Sequence, residues 1–238
     1  MSQLTLHFAP DTCARVPLIA LETIGCPYEL QIVAFMKAQH RSPEYLALNP
    51  KGKVPTLVVD GVPLSENIAI LRWLAETFPE AQLLPPSDDR LVKAQQLADL
   101  SFCASGLHPI VTRIRIPQYF CESPECLRGV YDMAIKAMQP NFALIDRRLA
   151  NQPWWFGEEW SIIDAYLNWV WFRVTGAGMD TSQFPHFARH DAQLQLRPAV
   201  LRALAINTNV KEQLEAQGLG VKFVDMATVA KSAERRSG

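Results

Sequence analysis

The first eighty residues alternate between two hydrophobic periods, and this alternation constrains the fold more than any other feature of the chain. Residues 3–8 alternate polar and apolar side chains as a strand does, and residues 12–24 carry apolar side chains at helical spacing. Residues 28–35 return to strand character. Because parallel neighbouring strands need a crossover connection of about this length, the segment predicts a β-α-β unit.

A hairpin and a helix complete this region. Val54 to Val59 and Val62 to Leu64 are short apolar runs on either side of Asp60-Gly61, and an Asp-Gly pair in that setting indicates a hairpin. Residues 68–78 follow with the pattern of an amphipathic helix. We therefore predict an α/β domain over residues 1–80.

The remaining chain predicts a second domain made of helices. Residues 81–89 are polar and rich in proline without a period, which favours a linker. Helical patterns then cover residues 90–105, 127–150 and 161–175, with shorter segments between 183 and 217. An all-α domain is expected over 90–226, and residues 227–238 are small and polar, which predicts a disordered tail.

Composition excludes several classes of partner. The 23 basic and 24 acidic residues give a net charge of -1, so no bulk field favours nucleic acid or a membrane surface. No signal peptide and no apolar run of about 20 residues is present, so we expect a cytoplasmic protein. Five scattered cysteines predict reduced thiols, and Cys121 and Cys126 lack the second ligand pair of a zinc site, so no metal is expected.

The first candidate for chemistry is Cys13, in the stretch HFAPDTCARVP, where a strand passes into a helix. The first turn of a helix presents free backbone N–H groups, which stabilise a thiolate, the nucleophilic form of cysteine. The alternative is a buried, inert cysteine that packs as a small apolar residue. Position alone leaves both interpretations open.

The second candidate is Val54-Pro55, at the start of a predicted strand. If the peptide bond is cis, the backbone N–H and C=O of Val54 can pair with a bound peptide as an added strand does. A trans proline that merely begins the strand is the alternative.

The third candidate is Ser65-Glu66-Asn67, just before the helix over 68–78. Asn67 suits a helix cap, helix N-termini attract carboxylates, and Glu66 can accept hydrogen bonds from an ammonium group. Together they suit the end of a zwitterionic α-amino acid, and a plain capping segment is the alternative.

In this order, the three features resemble the thioredoxin-like half of the cytosolic glutathione transferases. The resemblance rests on Cys13 at a helix start, NPKGKVPTL over 49–57 and LSENIAI over 64–70. In the second half, Ser161-Ile162-Ile163-Asp164 resembles the family's capping box, in which Ser161 and Asp164 cap each other. The resemblance covers roughly residues 3–205. It implies a thioredoxin-like α/β domain followed by an all-α domain.

Within that family, the spacing of Cys13 is similar to the bacterial beta class, which has cysteine where other classes use tyrosine or serine. The resemblance implies that Lys37 binds the glycine carboxylate of glutathione and that His108 lies near the thiol as an acid or base. One departure is Asn67, which stands where the family usually has serine. The chain is also longer than typical members of that class.

The family implies that glutathione is the co-substrate and lies along Val54-Pro55, with its γ-glutamyl end at Glu66 and Asn67. Its sulfur would point at Cys13. Cys13 would then either stabilise the glutathione thiolate, which attacks a small hydrophobic electrophile, or exchange with a mixed disulfide. The resemblance also implies a detoxification enzyme that forms homodimers.

Two other functions stay open at this point. A glutaredoxin-like disulfide reductase would use the same thiol. A binding module of the same fold that has lost catalysis would act through partner contacts.

Overall fold

The α/β region is built on a mixed sheet with the strand order β2-β1-β3-β4. The strands are β1 Leu4–Phe8, β2 Glu29–Ile32, β3 Thr56–Val59 and β4 Val62–Ser65. β1 pairs parallel with β2 and antiparallel with β3, and β3 pairs antiparallel with β4. The predicted β-α-β unit and the hairpin are confirmed.

The structure is a computed structural model that describes residues 2–221 and 223. Helices cover the sheet at α1 Arg15–Ile24, α2 Pro43–Leu48 and α3 Asn67–Thr77, with 3-10 turns at Phe35–Lys37, Gln39–Arg41 and Pro79–Ala81. α1 ends at Gly25, whose φ of 72° lies in the left-handed region that glycine adopts readily.

β2 is shorter than the strand predicted over residues 28–35 and ends at Ile32. The Val33 N–H still donates to the carbonyl of Phe8 at 2.8 Å. The next N–H, of Ala34, donates to the side chain of Gln39 at 2.7 Å, which turns the chain into the 3-10 segments. A side chain five residues away therefore replaces the ladder partner.

The second region is helical. Its helices are α4 Arg90–Ser101, α5 His108–Arg115, α6 Pro124–Leu149, α7 Ile162–Thr175, α8 Pro185–Gln195 and α9 Pro198–Ala216. A π-helical segment over Phe102–Leu107 joins α4 to α5, and a 3-10 turn covers Pro117–Tyr119. Pro109 lies in the first turn of α5, immediately after the π-helical segment. The predicted fold class, an α/β domain followed by an all-α region, is confirmed.

The buried helix α7 organises the second region. Most of its length is inaccessible to solvent, and it packs against α1 of the first region as well as α5 and α8. At its start, the Asp164 carboxylate accepts hydrogen bonds from the backbone N–H of Ser161 at 2.7 Å and from its hydroxyl at 2.9 Å. The predicted capping box is present and serves folding.

A disulfide joins Cys121 to Cys126, so the prediction of reduced thiols is wrong for this pair. Ser123 caps α6 by accepting a hydrogen bond from the N–H of Cys126, and Pro124 begins the first turn. This tight entry brings the two Cα atoms to 5.9 Å, within the usual range for a disulfide. Cys13, Cys26 and Cys103 are free thiols.

No helix in the described part of the chain combines the length and the hydropathy that a membrane crossing requires. Residues 82–89 form neither helix nor strand, but the proposed domain boundaries stay predictions. The predicted tail over 227–238 lies outside the described residues.

Candidate active site

Cys13 lies in the turn just before α1, two residues ahead of the first helical residue. Its thiol donates a hydrogen bond to the backbone carbonyl of Val54, with Sγ 3.7 Å from the oxygen. The peptide bond between Val54 and Pro55 is cis, one of the two alternatives that the sequence leaves open. The candidate thiol and the candidate peptide-binding edge therefore meet at one point.

The Cys13 thiol is neutral in this environment. Its side chain is only 8% exposed, and burial raises its pKa to about 12 because a desolvated thiolate is unfavourable. Burial is the largest effect on this pKa and Glu66 acts in the same direction, whereas a backbone N–H, Arg173 and Lys53 partly oppose the rise. The predicted stabilisation of a thiolate at the helix start is outweighed by desolvation.

Asn67 holds the backbone of Cys13 through a hydrogen bond. Its Nδ2 donates to the carbonyl of Cys13 at 3.1 Å and to the hydroxyl of Tyr166 at 3.4 Å. The Asn67 side chain is buried, and its Oδ1 has no hydrogen-bond partner among the described residues. Asn67 is the first residue of α3, and Glu66 occupies the cap position that the sequence assigns to Asn67. The Asn67 side-chain amide thus faces the protein interior. The backbone N–H groups at the start of α3 are the donors that a ligand can reach.

His108 joins the same group of residues through Tyr166. Its Nδ1 lies 3.3 Å from the Tyr166 hydroxyl, and its ring packs edge-on against Trp169. Burial, as the largest effect, and the positive charges of Lys53 and Arg173 together lower the pKa of His108 to about 4. The imidazole is therefore neutral at pH 7.

Tyr166 is a functional candidate that the sequence analysis misses. It is fully buried on α7 and links Asn67 of the α/β region to His108 of the helical region. The available signal is a hydroxyl within the otherwise apolar start of α7, two residues after Asp164.

Glu66 is exposed and has a φ of 76°, in the left-handed region where a non-glycine residue is strained. Its carboxylate forms an ion pair with Lys51, whose Nζ is 2.7 Å from Oε1. Strained backbone that is held in place at the mouth of a helix is typical of ligand sites. Lys51 is a second residue that the sequence analysis does not single out.

Lys37 is the one predicted residue that the described contacts do not bring to this group. It is exposed in a 3-10 turn and borders a groove shared with Val210 and Leu214 of the α9 end. Lys53 is the lysine that acts on the pKa values of Cys13 and His108. The role of Lys37 stays a prediction.

A pocket of about 300 Å³ opens between the two regions, beside the loop that leads to Cys13. Its walls include Ala9, Pro10, Asp11, Val33, Phe35, Arg115, Phe172, Arg173 and Phe223. Within the described ranges, no group of three or more His, Cys, Asp or Glu side chains is arranged to hold a metal ion.

Comparison with known proteins gives a consistent result. The family model of the glutathione S-transferase N-terminal domain matches residues 2–76. The glutathione S-transferase GstA of Escherichia coli O157:H7 is 29% identical over 203 residues, which are 84% of this chain and 96% of that protein.

Two solved structures share the fold over most of the chain. A glutathione transferase homologue from Sulfitobacter with bound glutathione has a TM-score of 0.76 and 29% identity, covering 86% of this chain and 98% of its own. The bacterial beta class glutathione S-transferase of Sphingomonas chungbukensis has a TM-score of 0.75 and 29% identity, with coverage of 85% and 98%.

Proposed function

Because this chain belongs to the glutathione S-transferase family, we propose that it binds glutathione beside Cys13 and transfers it to small electrophiles. The observation that carries this proposal is the contact of 3.7 Å between the Cys13 thiol and the carbonyl of Val54. It puts a sulfur donor next to the backbone edge at the cis Val54–Pro55 bond. A bound cysteinyl residue that pairs with this edge brings its own sulfur to the same donor.

In the proposed complex, glutathione lies extended along Val54, whose N–H and C=O pair with the cysteinyl part as in strand addition. The Glu66 carboxylate accepts hydrogen bonds from the γ-glutamyl ammonium group, and the backbone N–H of Asn67 at the start of α3 favours the neighbouring carboxylate. Lys51 pairs with Glu66 at 2.7 Å and supplies positive charge at this end. Lys37 remains the candidate for the glycine carboxylate, and a homodimer is the proposed assembly.

The state of Cys13 favours conjugation chemistry. A neutral thiol donates a hydrogen bond to the glutathione thiolate and lowers its basicity, as a hydroxyl donor would. The thiolate attacks the electrophilic carbon, a C–S bond forms, and the leaving group departs with the electron pair of the broken bond. The proton of the glutathione thiol goes to solvent, since His108 with a pKa of about 4 is a weak base at pH 7.

The disulfide reductase is the less favoured candidate. Its first step needs the Cys13 thiolate as nucleophile. Because burial raises the pKa of Cys13 to about 12, the neutral thiol is the dominant form at pH 7. A neutral donor is the role that this burial supports.

A pair of substitutions tests the proposal. Cys13→Ser keeps a hydrogen-bond donor, and we expect conjugation of 1-chloro-2,4-dinitrobenzene to stay within about tenfold of the parent. Cys13→Ala removes the donor, and kcat/KM should fall about 100-fold. Isothermal titration calorimetry should show glutathione binding to both variants, because the backbone edge is unchanged.

The controls separate the alternatives. Cys26→Ser removes a free, half-buried thiol outside the site and should leave conjugation and binding unchanged. Reduction of the mixed disulfide of glutathione and 2-mercaptoethanol should be weak in the parent. Strong reduction that Cys13→Ser abolishes would favour the reductase, and a parent that neither binds glutathione nor conjugates would favour the binding module.

A further inference from the structure

The pocket between the two regions holds a buried arginine that forms no ion pair among the described residues. Arg173 on α7 is 7% exposed and lines the pocket. Among residues 2–221 and 223, no carboxylate lies within ion-pair distance of Arg173, and no hydrogen bond from its guanidinium reaches an acceptor. Its closest partner there is the ring of Phe223, whose centroid is 4.7 Å from Cζ.

A second buried arginine makes the contrast clear. Arg15 on α1 is 3% exposed, and its Nη2 donates to Oδ1 of Asn168 at 3.1 Å. Asn168 in turn donates to the carboxylate of Asp191 at 2.6 Å. The chain therefore connects Arg15 to an acid through one amide, whereas Arg173 has no such connection within the described residues. A buried cation without a partner is costly, so an external anion at Arg173 is favoured.

Arg115 adds a second positive charge to the same pocket. Its Nη1 donates to the carbonyl of Gly176, and its Nε is buried without a hydrogen-bond partner among the described residues. The ring of Phe223 lies 4.1 Å from the Arg115 guanidinium as well. The donors of a guanidinium lie in its plane. An aromatic ring over its face therefore leaves them free for an anion.

The acids of the pocket are already engaged or lie at its rim. Asp11 accepts a hydrogen bond from Nδ2 of Asn207 at 2.9 Å and pairs with Nζ of Lys211 at 3.3 Å. Glu215 is exposed on the last turns of α9. Among the described residues neither forms an ion pair with Arg115 or Arg173. Burial lowers the pKa of both guanidinium groups, and the negative charge of Asp11 offsets only part of this effect.

The remaining walls are apolar, and the pocket also borders the loop that leads to Cys13. Val33, Phe35 and Phe172 line the pocket. Asp11 belongs to the same loop as Cys13, and the charge of Arg173 is close enough to lower the pKa of Cys13. An acceptor in this pocket therefore meets apolar walls and two guanidinium groups beside the loop that carries Cys13.

We propose that the preferred acceptors are organic electrophiles that carry a carboxylate, which Arg173 and Arg115 bind while the reactive carbon faces the glutathione sulfur. This inference rests on the proposed glutathione transfer and narrows its substrate class. The carboxylate takes no part in bond making. It fixes the acceptor in the pocket by charge-assisted hydrogen bonds.

The test uses two pairs of glutathione adducts that differ only in a carboxylate. S-benzylglutathione is compared with S-(4-carboxybenzyl)glutathione, and S-propylglutathione with S-(3-carboxypropyl)glutathione, by isothermal titration calorimetry on the full chain. We expect at least one carboxylated adduct to bind about tenfold more tightly than its neutral partner. The preference should shrink as salt rises.

Arg173→Gln should remove this preference, and Arg115→Gln should reduce it, while both variants keep their affinity for the neutral adducts. Arg147→Gln, at an exposed position on α6, is the matched control and should keep the preference. Because Arg173 is buried without an ion pair among the described residues, Arg173→Gln should not lower the midpoint of thermal unfolding.

The outcomes are distinguishable. If no adduct and no glutathione binds the parent, the proposed function fails. If neutral and carboxylated adducts bind equally, or if the preference survives Arg173→Gln, the substrate inference is overturned. The same holds if Arg173→Gln lowers the unfolding midpoint by several degrees and leaves the preference intact, since Arg173 would then be structural.

Discussion

Two buried polar networks meet on α7. They differ in whether the hydrogen-bond acceptor at the centre of each network has a full set of donors. At the start of the helix, the Asp164 carboxylate accepts from the N–H groups of Trp155 and Ser161 at 2.8 and 2.7 Å. It also accepts from the Ser161 hydroxyl at 2.9 Å and contacts Nε2 of His190 at 2.8 Å. Among the described residues, two atoms at the rim of this network, Nδ1 of His190 and Nε1 of Trp155, have no hydrogen-bond partner.

The second network is centred on Tyr166, two residues further along α7, and its hydrogen bonds are longer. Asn67 reaches the carbonyl of Cys13 at 3.1 Å but the hydroxyl of Tyr166 only at 3.4 Å, and Tyr166 lies 3.3 Å from Nδ1 of His108. The Oδ1 of Asn67 has no partner within the described part of the chain. Saturated networks fix a core, whereas partly satisfied ones are retained where a site requires them. We infer that the first network holds the fold and the second positions the site.

The largest expected effect comes from Asp164→Ala. It leaves the buried N–H groups of Trp155 and Ser161 without an acceptor, so the free energy of unfolding should fall by about 4 kcal/mol. Urea denaturation followed by tryptophan fluorescence measures this. Asp88→Ala, at an exposed position in the irregular segment over residues 82–89, is the control and should change stability by less than about 0.5 kcal/mol. A loss below about 1 kcal/mol for Asp164→Ala would remove the distinction between the networks.

The second largest effect is a pH dependence that His108 introduces. Its pKa is about 4 in the folded state and 6.5 in the unfolded chain, so the unfolded state binds the proton first as pH falls. Stability is thus retained above pH 6.5 and lost as pH falls towards 4, by about 3 kcal/mol. Lys53 and Arg173 face the imidazole and lower its pKa, whereas Glu66 raises it.

His108→Gln isolates this contribution, because His7 and His40 also have lowered pKa values and remain in both proteins. Urea denaturation at pH 4.5, 5.5, 6.5 and 7.5 should show a parent curve that falls more steeply than that of the variant. Parallel curves would mean that His108 is not buried as a neutral group.

The two networks also mark what the sequence can and cannot reveal. The capping box at Ser161 and Asp164 is predictable because its partners are three residues apart, and the Asp60-Gly61 hairpin is predictable from one turn. The contact between Asn67 and Tyr166 spans 99 residues and depends on how the two regions pack. No local period carries that information.

The same limit explains the other differences. Early termination of β2 depends on a side-chain hydrogen bond to the Ala34 N–H, and the Cys121–Cys126 disulfide depends on a tight helix entry. The high pKa of Cys13 follows from burial under the second region, which a helix-start pattern does not encode. In the sequence, Arg173 is likewise indistinguishable from other polar residues of a helix. Its place in the pocket becomes visible only in the folded structure.

Asn67→Ala tests the second network, in the way that Asp164→Ala tests the first. It removes the donor to the Cys13 carbonyl, and we expect a loss of about 2 kcal/mol in the free energy of unfolding, half the effect at Asp164. Because Asn67 positions the turn that carries Cys13, kcat/KM for conjugation should also fall, by about tenfold. Asn151→Ala, at an exposed position, is the control. An unchanged kcat/KM with the stability loss intact would make this network purely structural.

The smallest effect should come from Tyr166→Phe, which removes one hydroxyl and keeps the ring and its packing against Trp169. Both hydrogen-bond contacts of that hydroxyl are longer than 3.2 Å. Because they are long, their loss should cost only about 1 kcal/mol in urea denaturation. Tyr119→Phe, on an exposed ring, is the matched control and should cost nothing measurable. A loss above about 3 kcal/mol would show that the Tyr166 hydroxyl is held as firmly as the Asp164 carboxylate. The second network would then belong to the core of the fold, and the unpartnered Oδ1 of Asn67 would no longer indicate a site kept open for a ligand.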